Sequence, residues 1–485
     1  MKTFQKILVL SILISTFACG PEFLEEPVRN QSPEDFANNG NPSEIVTAVY
    51  NNLYTWEQHS FSWIGISSIT SDDADKGSVA SDLGTDKQDL DNWTFTPSSI
   101  SFNDVWTANF RGIARANQAL KYLPGFTTIA APLKSRFIAE VKFLRAYYYF
   151  NLVRMFGGVP KLEKVPVTPE EIENANVRAT AEEIYLLIET DLNEAAAILP
   201  SFYSSSDFGR PTRWSAKGLL AKVSLYQKKW SSVLFNCDEI IQSNQFALLQ
   251  DYSKIWRESG EFSSESIWEI NAKGDDPSKG IQQYNEVQGP RGGANDRGWG
   301  FNVPTENLIQ AYEPGDKRKE ATILGVPQIT WDGSYSTEGT VGPYYNYKAY
   351  VSRTHESWSG NNSQTNKNLR ILRYGEILLM KAEAENELSH IPEALSALNL
   401  VRNRAGLRDT SAQDQNSIRN LIWNERRLEL AFEHDRTFDL RRQGRAGDVL
   451  RSHRKNYIDI KHDLFPIPQI QVDLSNGKLI QNPLY

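Results

Sequence analysis

Residues 221–240 read AKVSLYQKKWSSVLFNCDEI, and residues 382–401 read AEAENELSHIPEALSALNLV. The two stretches lie 161 positions apart and place Ala221, Trp230, Val233, Cys237 and Ile240 against Ala382, Ile391, Ala394, Leu398 and Val401. Each set describes two antiparallel helices joined by a turn, with the small residue where the helices approach. A helix hairpin cannot bury its apolar stripe alone, so such pairs stack to share one core.

Working outward, earlier segments fit the same scheme less closely and carry insertions. Helices are expected over 44–54, 104–123, 133–156 and 180–199. The second carries Ile113, Ala116, Asn117, Leu120 and Leu123 on one face and is stopped by Pro124 and Gly125. Gly157, Gly158 and Pro160 terminate the third. Thr180 with Glu183 three residues on is a capping box that opens the fourth. The predicted fold is mostly α: about four tetratricopeptide-like helix-hairpin pairs, interrupted by a long, loop-rich and irregular ligand-binding excursion.

With 485 residues the chain has room for two or three average domains or one large one. A net charge of −8 argues against a general nucleic-acid surface. Aromatics make up 11%, with twelve Trp, an excess that suits a stacking surface.

The N-terminus is a targeting segment. Lys2 and Lys6 precede an apolar run over 7–17, too short to span a membrane, and a small residue, Ala18, precedes Cys19. This reads as a lipoprotein signal peptide over residues 1–18, with Cys19 the lipidated first residue of the mature chain. Thr16 and Phe17 are looser than the usual Leu and small residue, and plain secretion with Cys19 removed or free is the alternative. Loss of the two lysines takes the charge from −8 to −10. Polar residues 19–42 form a tether, and 43–485 one domain. Its helical body covers about 43–55, 104–250 and 369–446. Cys237 then has no disulfide partner and is expected to pack as a small apolar residue on a helix.

Two stretches lose helical periodicity, about 56–103 and 251–368. The second is rich in Gly, Asn, Ser and aromatics, including Trp256, Trp268, Trp299, Trp331, Trp358, Tyr335, Tyr344, Tyr345, Tyr347 and Tyr350. Long excursions inside a compact chain are commonly functional surfaces, and this much aromatic content argues for order.

Residues 421–442, LIWNERRLELAFEHDRTFDLRR, combine an apolar stripe (Leu421, Leu428, Ala431, Phe432) with ten charged side chains. Glu429 and Glu433 are like charges one turn apart, which costs energy unless an arginine from elsewhere lies between them. The run therefore asks for an ion network with distant parts of the chain and is expected to lock the last helix and turn against the body.

Within that run, ERRLELAFEHDRTFDLRR at 425–442 resembles the C-terminal signature of the RagB/SusD family, as do GGVP at 157–160, FPIPQ at 465–469 and NPLY at 482–485. The resemblance implies an outer-membrane lipoprotein that captures nutrients, chiefly glycans, and passes them to a TonB-dependent, SusC-like transporter. It implies localisation at the outer membrane through the lipid anchor, surface-exposed, with no bond broken and no cofactor. Both loop-rich regions contribute to the ligand face in that family.

A sugar ring has an apolar C–H face for Trp or Tyr and a polar rim for Asp, Asn or Arg. The candidates are Asp73, Asp75 and Trp93 from the first loop region, and Arg291, Asn295, Trp299, Trp331 and Tyr335 from the second. Trp93, Trp299 and Trp331 are expected to form the stacking platform. The Gly-rich GPRGGANDRGWG at 289–300 lacks the Gly-Lys-Ser/Thr ending of a phosphate loop and reads as a binding loop that must turn sharply. Asp72, Asp73 and Asp75 miss the EF-hand pattern at Gly77 and Gly84, the six histidines show no HExxH spacing, and no Gly-x-Ser-x-Gly elbow occurs. Two other classes stay open. One is a glycosidase using Asp73 or Asp75, or Glu425 or Glu429; the other is a helical scaffold that binds a peptide in its groove.

Overall fold

The computed structural model describes residues 40–485 except 80, 83–84, 275–280, 282, 294–295, 359 and 361–362. The signal segment and Cys19 lie outside the described residues. Among the described residues no helix is long and apolar enough to cross a membrane.

Eight helices build the body: α1 (Pro42–Asn51), α2 (Ile100–Tyr122), α3 (Ala131–Phe156), α4 (Ala181–Ile198), α5 (Arg213–Tyr226), α6 (Trp230–Gln242), α7 (Tyr374–Glu387) and α8 (Ile391–Arg404). Each packs on the next in that order, so four pairs stack side by side. The 161-residue period holds at the helix ends. Arg213 and Tyr374 start corresponding helices, Tyr226 and Glu387 end them, and Trp230 and Ile391 start the second helix of each pair. The local chemistry explains the boundaries. Asn41 caps α1 with Pro42 at its first position, Thr180 and Glu183 form the capping box of α4, and Gly157, at φ 71°, ends α3. Helix α1 runs two residues earlier than expected and hands over to a 3₁₀ turn at Asn52–Tyr54. Ala221, Ala382, Val233, Ala394, Cys237 and Leu398 are fully buried, and burial pushes the Cys237 thiol up.

Among the described residues six short strands form three antiparallel pairs: β1 (Ala74–Gly77), β2 (Ser266–Ile270), β3 (Phe301–Pro304), β4 (Ile323–Gly325), β5 (Tyr344–Asn346) and β6 (Leu369–Arg373). Strand β1 pairs with β3, β2 with β6 and β4 with β5. The β2–β6 ladder, Ser266 opposite Arg373 and Ile270 opposite Leu369, gathers both ends of the long excursion at the foot of α7. The β1–β3 ladder, Ala74 opposite Pro304 and Gly77 opposite Phe301, joins the two loop-rich regions to each other.

Residues 421–442 do not form one helix. Helix α9 (Gln415–Glu429) stops, the chain turns through Phe432 (φ 63°) and His434 (φ 70°), and α10 (Arg436–Arg442) follows. Positive φ at non-glycine residues is costly, so packing must hold this turn. The His434 ring does so by bridging Ser67 Oγ at 2.9 Å and the Tyr284 hydroxyl at 2.7 Å. The arginine demanded by Glu429 and Glu433 is Arg373, at the end of β6. Its Nη1 donates to Glu429 at 2.7 Å and its Nε to Glu433 at 2.7 Å. Arg404 also binds Glu429, Arg318 joins Glu425 (2.6 Å) to Glu429 (3.2 Å), and Arg426 joins Glu376 to Asp439 at 2.7 Å each. These side chains are almost wholly buried, so each charge is held only by its partners.

Candidate functional site

The β1–β3 ladder places the residue before β3, Gly300, against the end of β1. A Cβ on Gly77, which sits at φ 71°, would lie 2.4 Å from the Gly300 carbonyl, so only glycine lets the strands approach. Trp299 follows a second close contact: a Cβ on Gly298 would lie 2.3 Å from the Glu286 carbonyl. The Trp299 N–H donates to that carbonyl at 2.8 Å. The Gly-rich loop is thereby pinned to the short helix Tyr284–Gln288, with positive φ at Gly292, Gly293 and Gly300.

This pinning sets Trp299 beside Trp56 and Phe61 from the turn after α1. Ring centroids are 6.1 Å (Trp56–Trp299), 6.0 Å (Phe61–Trp299) and 6.1 Å (Trp56–Phe61), all tilted or edge-on. All three rings are half-buried, and Phe301, Ile64, Ile69 and Val287 pack beneath them. The Lys87 ammonium lies 4.2 Å from the Phe61 centroid. Arg291 Cβ and Ser78 Cα flank Gly300 next to the cluster. Arg291 Nη1 donates to Ser78 Oγ at 2.5 Å and pairs with Asp82, which also accepts from Ser78. The Ser78 hydroxyl and then Arg291 hold the Asp82 carboxyl below its ordinary range, so it is an ionised acceptor at neutral pH. A half-buried apolar patch next to hydroxyl, carboxylate and guanidinium groups matches the two faces of a sugar ring.

Of the expected site residues, Arg291 and Trp299 meet in this patch, while Trp56 and Phe61 were missed. The Trp93 expectation is corrected: its side chain is 2% exposed, its ring stacks on Phe465 at 5.8 Å, and its Nε1 donates to the Thr70 carbonyl at 2.9 Å. It is a core residue, and the three-tryptophan platform does not exist. Trp331 is 42% exposed but stands apart on the turn after β4, with the Arg257 guanidinium 4.7 Å from its ring and His355 at 5.5 Å. Tyr335 is buried among Leu324, Tyr345, Tyr347 and Tyr350, and its hydroxyl donates to the Gly292 carbonyl at 2.9 Å. It supports the Gly-rich loop from below. Asn295 lies outside the described residues.

The acidic candidates are also placed. Asp73 is buried and pairs with Arg427 Nε at 2.6 Å. Its neighbour Asp72 is gripped by Arg436 at 2.7 Å and 2.8 Å. Burial opposes ionisation of Asp72, yet Arg436 and then Arg427 hold it far below the usual carboxylate range. Glu425 and Glu429 are buried in the ion network, and Asp75 alone of the four proposed acids is exposed, on β1. Asp73, Glu425 and Glu429 are thus each buried and held by arginine.

Two family models together match most of the chain: "SusD family" over residues 264–485 and "Starch-binding associating with outer membrane" over 22–225. A solved "Laminarin binding SusD-like protein" is 30% identical with a TM-score of 0.80, covering 92% of this chain and 100% of its own. Surface glycan-binding protein A from Bacteroides thetaiotaomicron, solved in complex with laminarihexaose, is 27% identical with a TM-score of 0.79, covering 92% and 99%. SusD-like protein P25 of Formosa agariphila is 26% identical over 93% of this chain and 92% of its own length.

Proposed function

Since this chain belongs to the SusD family, we propose that it binds a glycan at the cell surface without cleaving it and hands it to a SusC-like, TonB-dependent outer-membrane transporter. Cys19 carries the lipid that fixes it to the outer membrane, and the helical stack is the platform that docks on the transporter. One observation carries the reading. The β1–β3 ladder draws both loop-rich regions into a single patch in which Trp56, Phe61 and Trp299 lie beside Ser78, Asp82 and Arg291. Such a patch stacks on the C–H face of a sugar and takes its hydroxyls at the rim; nothing in it supplies a paired acid and base. The laminarihexaose-bound relative makes laminarihexaose the first probe.

The test is isothermal titration of the purified mature protein with laminarihexaose and a panel of α-glucan, fructan and pectin oligosaccharides. At least one is expected to bind, and Trp56→Ala with Trp299→Ala together weakens it at least tenfold, with new reducing ends absent. The apolar contact area lost with two aromatic rings supports that magnitude. No binding to any glycan, or unchanged affinity in the double variant, rejects the reading; turnover rejects the non-catalytic part of it.

A further inference from the structure

A second recess opens on the other side of the Gly-rich loop, lined by Glu286, Gly289, Pro290, Arg297, Arg353 and Trp358 among others. Its free volume is about 20 Å³, enough for one oxygen-sized group and far too small for a sugar ring. Two guanidinium groups, Arg297 and Arg353, line it with one carboxylate, Glu286. Arg297 is 8% exposed, and its guanidinium donates only to neutral acceptors: Ser334 O and Oγ at 3.2 and 3.1 Å and the Val351 carbonyl at 3.5 Å. Among the described residues Arg297 forms no ion pair, whereas the buried Arg145, Arg318, Arg373, Arg404 and Arg426 all hold carboxylates. Two buried donors lining the recess, Arg297 Nε and Trp358 Nε1, have no acceptor.

A buried donor left unmet keeps its full desolvation cost. The Arg353 guanidinium lies over the Trp358 ring at 4.9 Å and donates to the Asp296 carbonyl at 3.1 Å. Burial and then the neighbouring Arg297 push Arg353 below its ordinary pKa, so two like charges converge on the recess. Two carboxylates are near. Glu286 lines the recess and accepts from Ser363 Oγ at 2.6 Å, and exposed Asp296 accepts from the Gly292 N–H at 3.0 Å. Neither reaches the unmet donors.

We propose that this recess takes one oxygen of an anionic substituent of the captured glycan, a uronate carboxylate or a sulfate ester, the rest of the group staying at its mouth. The inference rests on the glycan-binding reading above and narrows its substrate class. The donors that wait for acceptors are one guanidinium N–H, Arg297 Nε, and one indole N–H, Trp358 Nε1, and an anionic oxygen accepts from both kinds more strongly than a neutral one does. Arg297 and Trp299 stand two residues apart on the Gly-rich loop, and the proposal takes one glycan to span both. Neutral glucans satisfy the stacking patch and leave the recess empty.

The experiment compares matched pairs on the full mature chain: an oligogalacturonate against its methyl ester, and a sulfated galactan oligosaccharide against its desulfated form, with laminarihexaose alongside. At least one acidic form is expected to bind at least tenfold tighter than its neutral twin, and the arm that responds names the substituent. Arg297→Gln abolishes that advantage and leaves laminarihexaose affinity unchanged. Trp358→Phe keeps the ring, loses one donor and reduces the advantage, which covers a failure of Arg297→Gln to fold. Independently of the backbone, sodium sulfate is expected to raise Tm over ionic-strength-matched chloride by more in the wild type than in either variant, the excess being the site-specific part beyond the general stabilisation by sulfate. Glycan binding with no acidic preference and no variant-sensitive sulfate effect overturns the subsite and leaves the glycan reading standing. If no oligosaccharide binds, laminarihexaose included, the glycan reading falls and the subsite with it.

Discussion

Trp93 and Trp299 look alike in the sequence, each a tryptophan beside polar residues in a loop, and the fold gives them opposite tasks. Trp93→Ala is expected to destabilise the protein by about 3–5 kcal/mol, measured by urea unfolding, because it empties a packed core site. Trp331→Ala is expected to cost little stability, as its ring is 42% exposed. Which tryptophan lies under a loop and which lies on it depends on partners far along the chain, such as Phe465 for Trp93, and no local pattern encodes that. The need for a cation between Glu429 and Glu433 was legible, because like charges one turn apart demand one; its identity, Arg373, was not. Arg373→Met leaves Glu265, Glu429 and Glu433 without their shared cation and is expected to cost about 3–5 kcal/mol. Burial lowers His59 to about 4 and His462 to about 4. Their folded values lie below the unfolded 6.5, so the unfolded chain binds more protons between those limits. Stability is therefore full above pH 6.5 and falls as pH drops toward 4, by up to about 1.4 kcal/mol per pH unit for each histidine. His59→Gln is expected to flatten that slope by one histidine's share, read from urea midpoints across pH 4.5–7.

At the scale of elements, the helix pairs were readable because each carries its own period and its own stops. Thr180 with Glu183, Pro124 with Gly125, and Gly157 all act within a few residues of where they stand. The strands were not readable. They are three to five residues long and pair across wide gaps, Ala74 with Pro304 and Ser266 with Arg373, so their signal lies in contacts rather than in alternation. Trp56 and Phe61 were missed for the same reason: only the β1–β3 ladder brings Trp299 to them. That ladder is the element whose loss should uncouple folding from binding. Gly77→Ala forces a side chain into positive φ and against the Gly300 carbonyl, at a cost of about 1–3 kcal/mol. Calorimetry is expected to find the helical body folded at room temperature, with glycan affinity reduced at least tenfold.

For the whole molecule, the proposed anchor and the capture of glycan are expected to be separable. Cys19→Ala is expected to move the protein from the membrane fraction to the soluble fraction and leave glycan affinity in solution unchanged; retention in the membrane fraction would reject the lipid anchor. The body tolerates this division of labour because its core is made by stacked helices and closed by the buried arginine–carboxylate network after α9. The long excursion adds a last property. It leaves the body along β2 and comes home along β6, two strands of one ladder, so its two ends stand side by side. A segment whose exit and entrance coincide can be lengthened, shortened or exchanged with no change in the spacing of what it interrupts. Evolution can therefore rewrite the recognition loops between 271 and 368 as a cassette, and a protein engineer can graft a relative's cassette onto the same two strands to change the diet of the cell without redesigning its scaffold.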